Sequence, residues 1–274
     1  DKTGDHKMRV RPIYRLASLL LCVGAFFVAS PAMAKACETL ATGSSQIVFS
    51  GWSGPKLPVF VHKPQTAGAN SRILFVMHGV NRDADRYRDE WAGLAVKHRF
   101  IVIVPEFSRS DFPGAASYNT GFFAEEDGTL RPRTRWSFAA IEPLFDETRR
   151  RFGTAAERYS LYGHSAGAQF VHRFVMFMPE ARIEQAIAAN AGWYTMPDPA
   201  LAFPYGVEGA PVAPDTLKAV LAKPLTVLLG TADTDRADPN LRKTPEADAQ
   251  VPLPSVNPET PTDRPLHGEE SSTK

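Results

Sequence analysis

The chain has 274 residues, 43% of them hydrophobic and 22% charged, enough for one globular domain with a sizeable buried core. A net charge of +1 excludes the strongly basic balance expected of a protein that binds nucleic acid or an anionic surface. The two cysteines, Cys22 and Cys37, have no zinc-ligand spacing, and neither a metal nor a cofactor is expected.

Residues 1–34 read as a leader and secretory signal. Met8 opens a basic segment with Arg9, Arg11 and Arg15, and an apolar run from Leu16 to Ala29 follows. Ala32-Met33-Ala34 is a small-residue cleavage site, with cleavage expected after Ala34. The apolar run is too short to span a bilayer comfortably, so the expectation is a secreted or periplasmic protein without stable membrane insertion. Cleavage would remove Cys22 and leave Cys37 without a partner for an internal disulfide.

The next region, 35–250, has the rhythm of an α/β domain. Gln46–Phe49 and Leu57–His62 suggest a leading antiparallel pair, parted by the turn-rich Gly51-Trp52-Ser53-Gly54-Pro55. Ile73–Met77 and Phe100–Pro105 are continuous apolar runs, as buried parallel strands are, with a helical segment from about Ala84 to His98 between them. Ser108 to Arg135 is rich in Gly, Ser, Asp and Pro and reads as an excursion above the sheet. Trp136 to Phe152 returns to helical spacing and stops at Gly153. Two further strands are expected at Ile187–Asn190 and Leu225–Leu229, with Pro, Tyr and Trp crowded between them. Strands separated by helices imply a mostly parallel sheet with helices on both faces. Residues 251–274 are proline-rich, lack apolar periodicity and are expected to be a disordered tail.

One pentapeptide carries the chemistry. Gly163-His164-Ser165-Ala166-Gly167 follows a strand-like run, Arg158–Tyr162, and precedes the helix-compatible Ala168–Val175. A G-x-S-x-G in that context is a nucleophile elbow, whose tight turn leaves little room for side chains two residues either side of the serine. Ser165 is the nucleophile candidate, activated only when a positioned base takes its proton. The acid should lie at the end of a later strand, where Gly230-Thr231-Ala232-Asp233-Thr234-Asp235 supplies Asp233, with Asp235 in reserve. An oxyanion hole would use the backbone N–H of Ala166 and that of Val80, or of Asn81 in its place. His78, in the loop carrying Val80, reads as scaffold.

Met77–Ala84, Pro105-Glu106-Phe107, the elbow and Gly230–Asp233 occur in that order. Together they resemble an α/β-hydrolase of the polyhydroxybutyrate-depolymerase-like and esterase type, over roughly Gln46 to Gln250. The resemblance implies the α/β-hydrolase fold and a Ser–Asp–His enzyme acting on a small-molecule or polymeric ester. It also implies that Trp193 and Tyr194 border the substrate pocket; core or lid packing is the other reading of these two. In this family the base lies beyond the acid strand, after an eighth strand, in a Gly-x-Gly-His context. The histidine that follows Asp233 here is His267, with no strand-like run between them. Two expectations therefore stand: an active esterase with His267 as base, or a hydrolase-fold relic lacking its base, its last strand and its last helix.

Overall fold

The computed structural model describes residues 41–231 together with 244 and 245. The expected leader (1–34), most of the segment carrying Asp233 and Asp235, and the tail (251–274) lie outside the described residues.

Seven strands form one sheet. In chain order they are β1 (Gly43–Phe49), β2 (Leu57–Lys63), β3 (Ile73–Met77), β4 (Ile101–Pro105), β5 (Tyr159–His164), β6 (Ile183–Ala189) and β7 (Leu225–Leu228). Their spatial order is β1-β2-β4-β3-β5-β6-β7. β1 and β2 pair antiparallel, as does β2 with β4, and every later pairing is parallel. Helices α1 (Ala84–His98), α2 (Ile141–Phe152), α3 (Ala166–Phe177) and α4 (Pro214–Leu221) fill the connections. The expected mostly parallel α/β sheet is present.

Apolar content explains where each strand sits. All five residues of β4 are buried, which suits a run with apolar side chains on both faces. On one face α2 and α3 pack with Phe75, Phe138, Phe145, Tyr159, Phe170 and Phe174 in a single large core. On the other, α1 sets Ala84, Tyr87 and Ala95 against Val76, Val102 and Val104. All twelve residues of α3 are buried, so the helix behind the elbow is enclosed rather than amphipathic.

Two differences from the sequence reading have physical causes. β6 begins at Ile183, four residues before the expected Ile187, because Glu184 and Gln185 lie exposed and hide the strand from an apolar-run search. The 108–135 excursion is anchored into the core by buried Phe112, Tyr118 and Phe123. Ring contacts carry that anchoring, with Phe107–Phe112 at 4.9 Å and Phe123–Phe177 at 5.4 Å. No helix among the described residues is long and apolar enough to cross a membrane.

Glu142 is the polar joint between α2 and the sheet. Its Oε1 accepts the hydroxyl of fully buried Tyr159 at 2.7 Å and the Arg182 N–H at 2.9 Å, and its Oε2 accepts Arg182 Nε at 2.7 Å. Removing the carboxylate strands a buried phenol. Glu142→Ala should lower the unfolding free energy by about 1–3 kcal/mol, read from urea denaturation, with Glu142→Gln losing less.

Candidate active site

β5 delivers the chain to the elbow at the carboxyl edge of the parallel strands. Ser165 has φ 55° and ψ −118°, a conformation that costs an ordinary residue about 1–3 kcal/mol. Two contacts hold it there: its N–H donates to Ala189 O at 3.0 Å, and its carbonyl accepts Gln169 N–H at 3.1 Å. The flanking glycines are required by contact. A Cβ on Gly163 would lie 2.2 Å from Gly167 O, and one on Gly167 would lie 2.0 Å from Met77 O. The start of α3 therefore touches the end of β3 backbone to backbone.

The loop after β3 is built around His78. It is fully buried, stacked at 4.7 Å on Tyr118. Its Nδ1–H donates to Gly79 O at 3.1 Å and its Nε2 accepts Phe107 N–H at 3.0 Å. Both nitrogens are thus occupied in the neutral form, and burial pushes the pKa down to about 4. This is the scaffold role expected of His78.

Two arginines without a role in the sequence reading brace the same loop. Arg82, at φ 65°, donates to Phe107 O (2.9 Å), Phe112 O (3.2 Å) and Gly114 O (2.9 Å), its guanidinium 4.2 Å above the Tyr118 ring. Arg109 donates to Val80 O at 2.8 Å, which fixes one end of the residue expected to offer an oxyanion-hole N–H. Arg82 lies within the Met77–Ala84 motif. Nothing in the sequence marks Arg109, 29 residues away from Val80.

A cavity of about 330 Å³ opens beside Ser165 on the α1 side. Gly79, Val80 and Asn81 form its loop wall, Tyr87 and Trp91 its helix wall, and Tyr162 and His164 its strand wall. Ser165 and Val80 therefore line one cavity at the end of the sheet, and Ala166 follows Ser165 in the chain at the start of α3. Trp193 and Tyr194 lie on the α3 side instead. Trp193 is buried, 3.9 Å from the Arg173 guanidinium and 5.5 Å from the Tyr205 ring, and Tyr194 packs on His172 at 5.3 Å. Thr195 secures this segment to α3: its N–H donates to His172 Nε2 (3.0 Å), and its Oγ1 accepts from Arg173 Nε (2.7 Å) and donates to Pro204 O (2.6 Å).

β7 lies two places from β5, and the turn after it is fixed by Asn190. That residue, at φ 51°, donates its N–H to Leu228 O at 2.9 Å and accepts Gly230 N–H on Oδ1 at 2.7 Å. Asp233, Asp235 and His267 lie outside the described residues.

The parallel sheet, the strained serine between strand and enclosed helix, and the braced loop beside it define the α/β-hydrolase class. A scan against protein-family models finds no match, and a search of curated proteins finds none either. Solved structures do match. The poly(aspartic acid) hydrolase-1 from Sphingomonas sp. KT-1 is 51% identical over 77% of this chain and 80% of its own, with a TM-score of 0.76. A poly(3-hydroxybutyrate) depolymerase, LpqC from Bordetella parapertussis, is 33% identical over 77% of this chain and 72% of its own, with a TM-score of 0.71. This chain belongs to the α/β-hydrolase superfamily, in its polyhydroxybutyrate-depolymerase-like and esterase type.

Two outcomes follow from the geometry. Gly167→Ala should destabilise the fold by about 1–3 kcal/mol in thermal or urea unfolding, because its Cβ meets backbone that no rotamer change can clear. The second concerns pH. His172, like His78, is pushed down by burial, His172 well below the ordinary histidine value. Between about pH 6.5 and 4 the unfolded chain takes up protons that the folded chain refuses. Stability should therefore fall as pH drops through that window, by roughly 1 kcal/mol per pH unit for each such histidine. A urea midpoint flat from pH 7 to pH 5 would contradict this.

Proposed function

We propose that this member of a hydrolase family is a serine hydrolase that cleaves carboxylic ester bonds through an acyl-enzyme on Ser165. The observation that carries the reading is the backbone of Ser165, held at a positive φ beside a cavity and beside the braced Val80 loop. Ser165 Oγ attacks the ester carbonyl and its proton passes to the base. The N–H groups of Val80 and Ala166 receive the negative charge on the tetrahedral oxygen. Collapse expels the alcohol, which takes the proton from the base, and water attacks the acyl-enzyme by the same steps in reverse. Asp233 is assigned as the acid that orients the base, and His267 as the base.

The substrate is a small or polymeric ester, consistent with the depolymerase that is 33% identical. The 51% identity to a poly(aspartic acid) hydrolase favours a second substrate reading, the backbone amide of an acidic polymer. A third reading is a hydrolase scaffold without its own base. The setting of His267, in a proline-rich stretch with no preceding strand-like run, favours it. The basic leader and Ala32-Met33-Ala34 support export to the periplasm or beyond.

The test is labelling with a fluorophosphonate probe and turnover of p-nitrophenyl butyrate. Ser165→Ala should abolish labelling and lower kcat by about 10⁴-fold or more. His267→Ala should lower kcat by a similar order if His267 is the base. Ordinary esterase turnover unaffected by His267→Ala would remove that assignment, and an unlabelled wild type would favour the scaffold reading.

A further inference from the structure

The residue before the nucleophile candidate has a polar environment of its own. Tyr87, on the inward stripe of α1, is nearly buried, and its hydroxyl lies 3.3 Å from His164 Nδ1. The same oxygen sits under the Val80 loop: a Cβ on Gly79 would lie 2.8 Å from it. Burial raises the phenol's pKa, against the opposing pull of the Arg86 guanidinium, so the hydroxyl keeps its proton. A buried phenol that keeps its proton needs an acceptor, and the one in reach is His164 Nδ1 at 3.3 Å. An imidazole that accepts at Nδ1 carries its proton on Nε2. Among the described residues Nε2 has no hydrogen-bond partner, and His164 lines the cavity next to Ser165.

We propose that His164 is a substrate-binding residue, its Nε2–H held ready by Tyr87 to donate to a neutral carbonyl oxygen lying outside the scissile bond. Tyr87 is the positioning residue. The helix wall of the cavity favours neutral over anionic acceptors. Arg86 is bonded at once by Asp83, at 2.7 Å, and by Glu90, so two carboxylates share one guanidinium in that wall. A ligand carboxylate against that wall would meet the net negative charge of the Asp83–Arg86–Glu90 group, with Arg109 across the cavity on the Val80 carbonyl. An oligoester fits: it presents a second, uncharged carbonyl one repeat from the bond being cut.

This deepens the ester-hydrolase reading and rests on it, so the test has one arm that needs no turnover. Imidazole ¹⁵N spectra of the full chain, with His164 assigned through His164→Gln, should show the Nε2–H tautomer. Tyr87→Phe should convert it to a mixture. An Nδ1–H tautomer in the wild type overturns the proposal.

Titration with a neutral 3-hydroxybutyrate dimer methyl ester should shift the His164 Nε2–H signal, and an unmoved signal overturns the proposal. In turnover, His164→Ala and Tyr87→Phe should each lower kcat/KM about fivefold more for the dimer ester than for p-nitrophenyl acetate, the worth of one net hydrogen bond, with the loss in KM. Equal losses on the two esters, or a larger loss on an aspartate oligomer, overturn it. A wild type that binds the dimer at His164 without cleaving it counts against the Ser165 reading alone.

Discussion

The backbone contact between the start of α3 and the end of β3 is the constraint on which the site depends. With Gly167 against the Met77 carbonyl, no side chain separates the helix from the sheet, and the serine between β5 and α3 is forced into its unusual conformation. The strain is local, but what holds it is not. α3 is buried along its whole length, its Phe170 and Phe174 packed against Phe107 and Phe138, so the helix cannot retreat to relax Ser165 without opening the main core.

The same contact sets the loop that faces the serine. Met77 leads into His78 and Gly79, so the loop carrying Val80 starts from the point that α3 touches. From there its shape is enforced by polar groups rather than by packing alone. His78 bridges two backbone groups in its neutral form, Tyr118 donates to the His78 carbonyl, and Arg82 and Arg109 hold four carbonyl oxygens between them. Hydrogen-bond donors fixed in advance are what charge stabilisation at an acyl centre requires, since reorienting them during the reaction would cost the energy they are meant to supply.

Much of this was legible in the chain. Short-range signals were sufficient where one element decides its own structure: the apolar runs of β3 and β4, the glycine after α2, and the elbow with its flanks. β6 was half hidden, because a strand that exposes Glu184 and Gln185 loses the apolar run by which buried strands are recognised. The bracing of the Val80 loop was not readable at all. Arg82 reaches carbonyls 25 to 32 residues away and Arg109 reaches back 29, and no local spacing encodes such pairings. Trp193 and Tyr194 carry two readings, pocket or packing, and the structure adds the neighbours: Arg173, His172 and Tyr205.

Thr195 has a consequence for motion. Its amide and its hydroxyl are both committed inside the protein, two of the three bonds to consecutive residues of α3. Lifting the aromatic segment off the helix would expose each of those groups unpaired before water could reach it, at about 1–3 kcal/mol apiece. The segment is thus a fixture and not a hinge. A solvent deuteron should find the Thr195 amide about as slow to exchange as the core of α3, because the event that frees one is the event that frees the other.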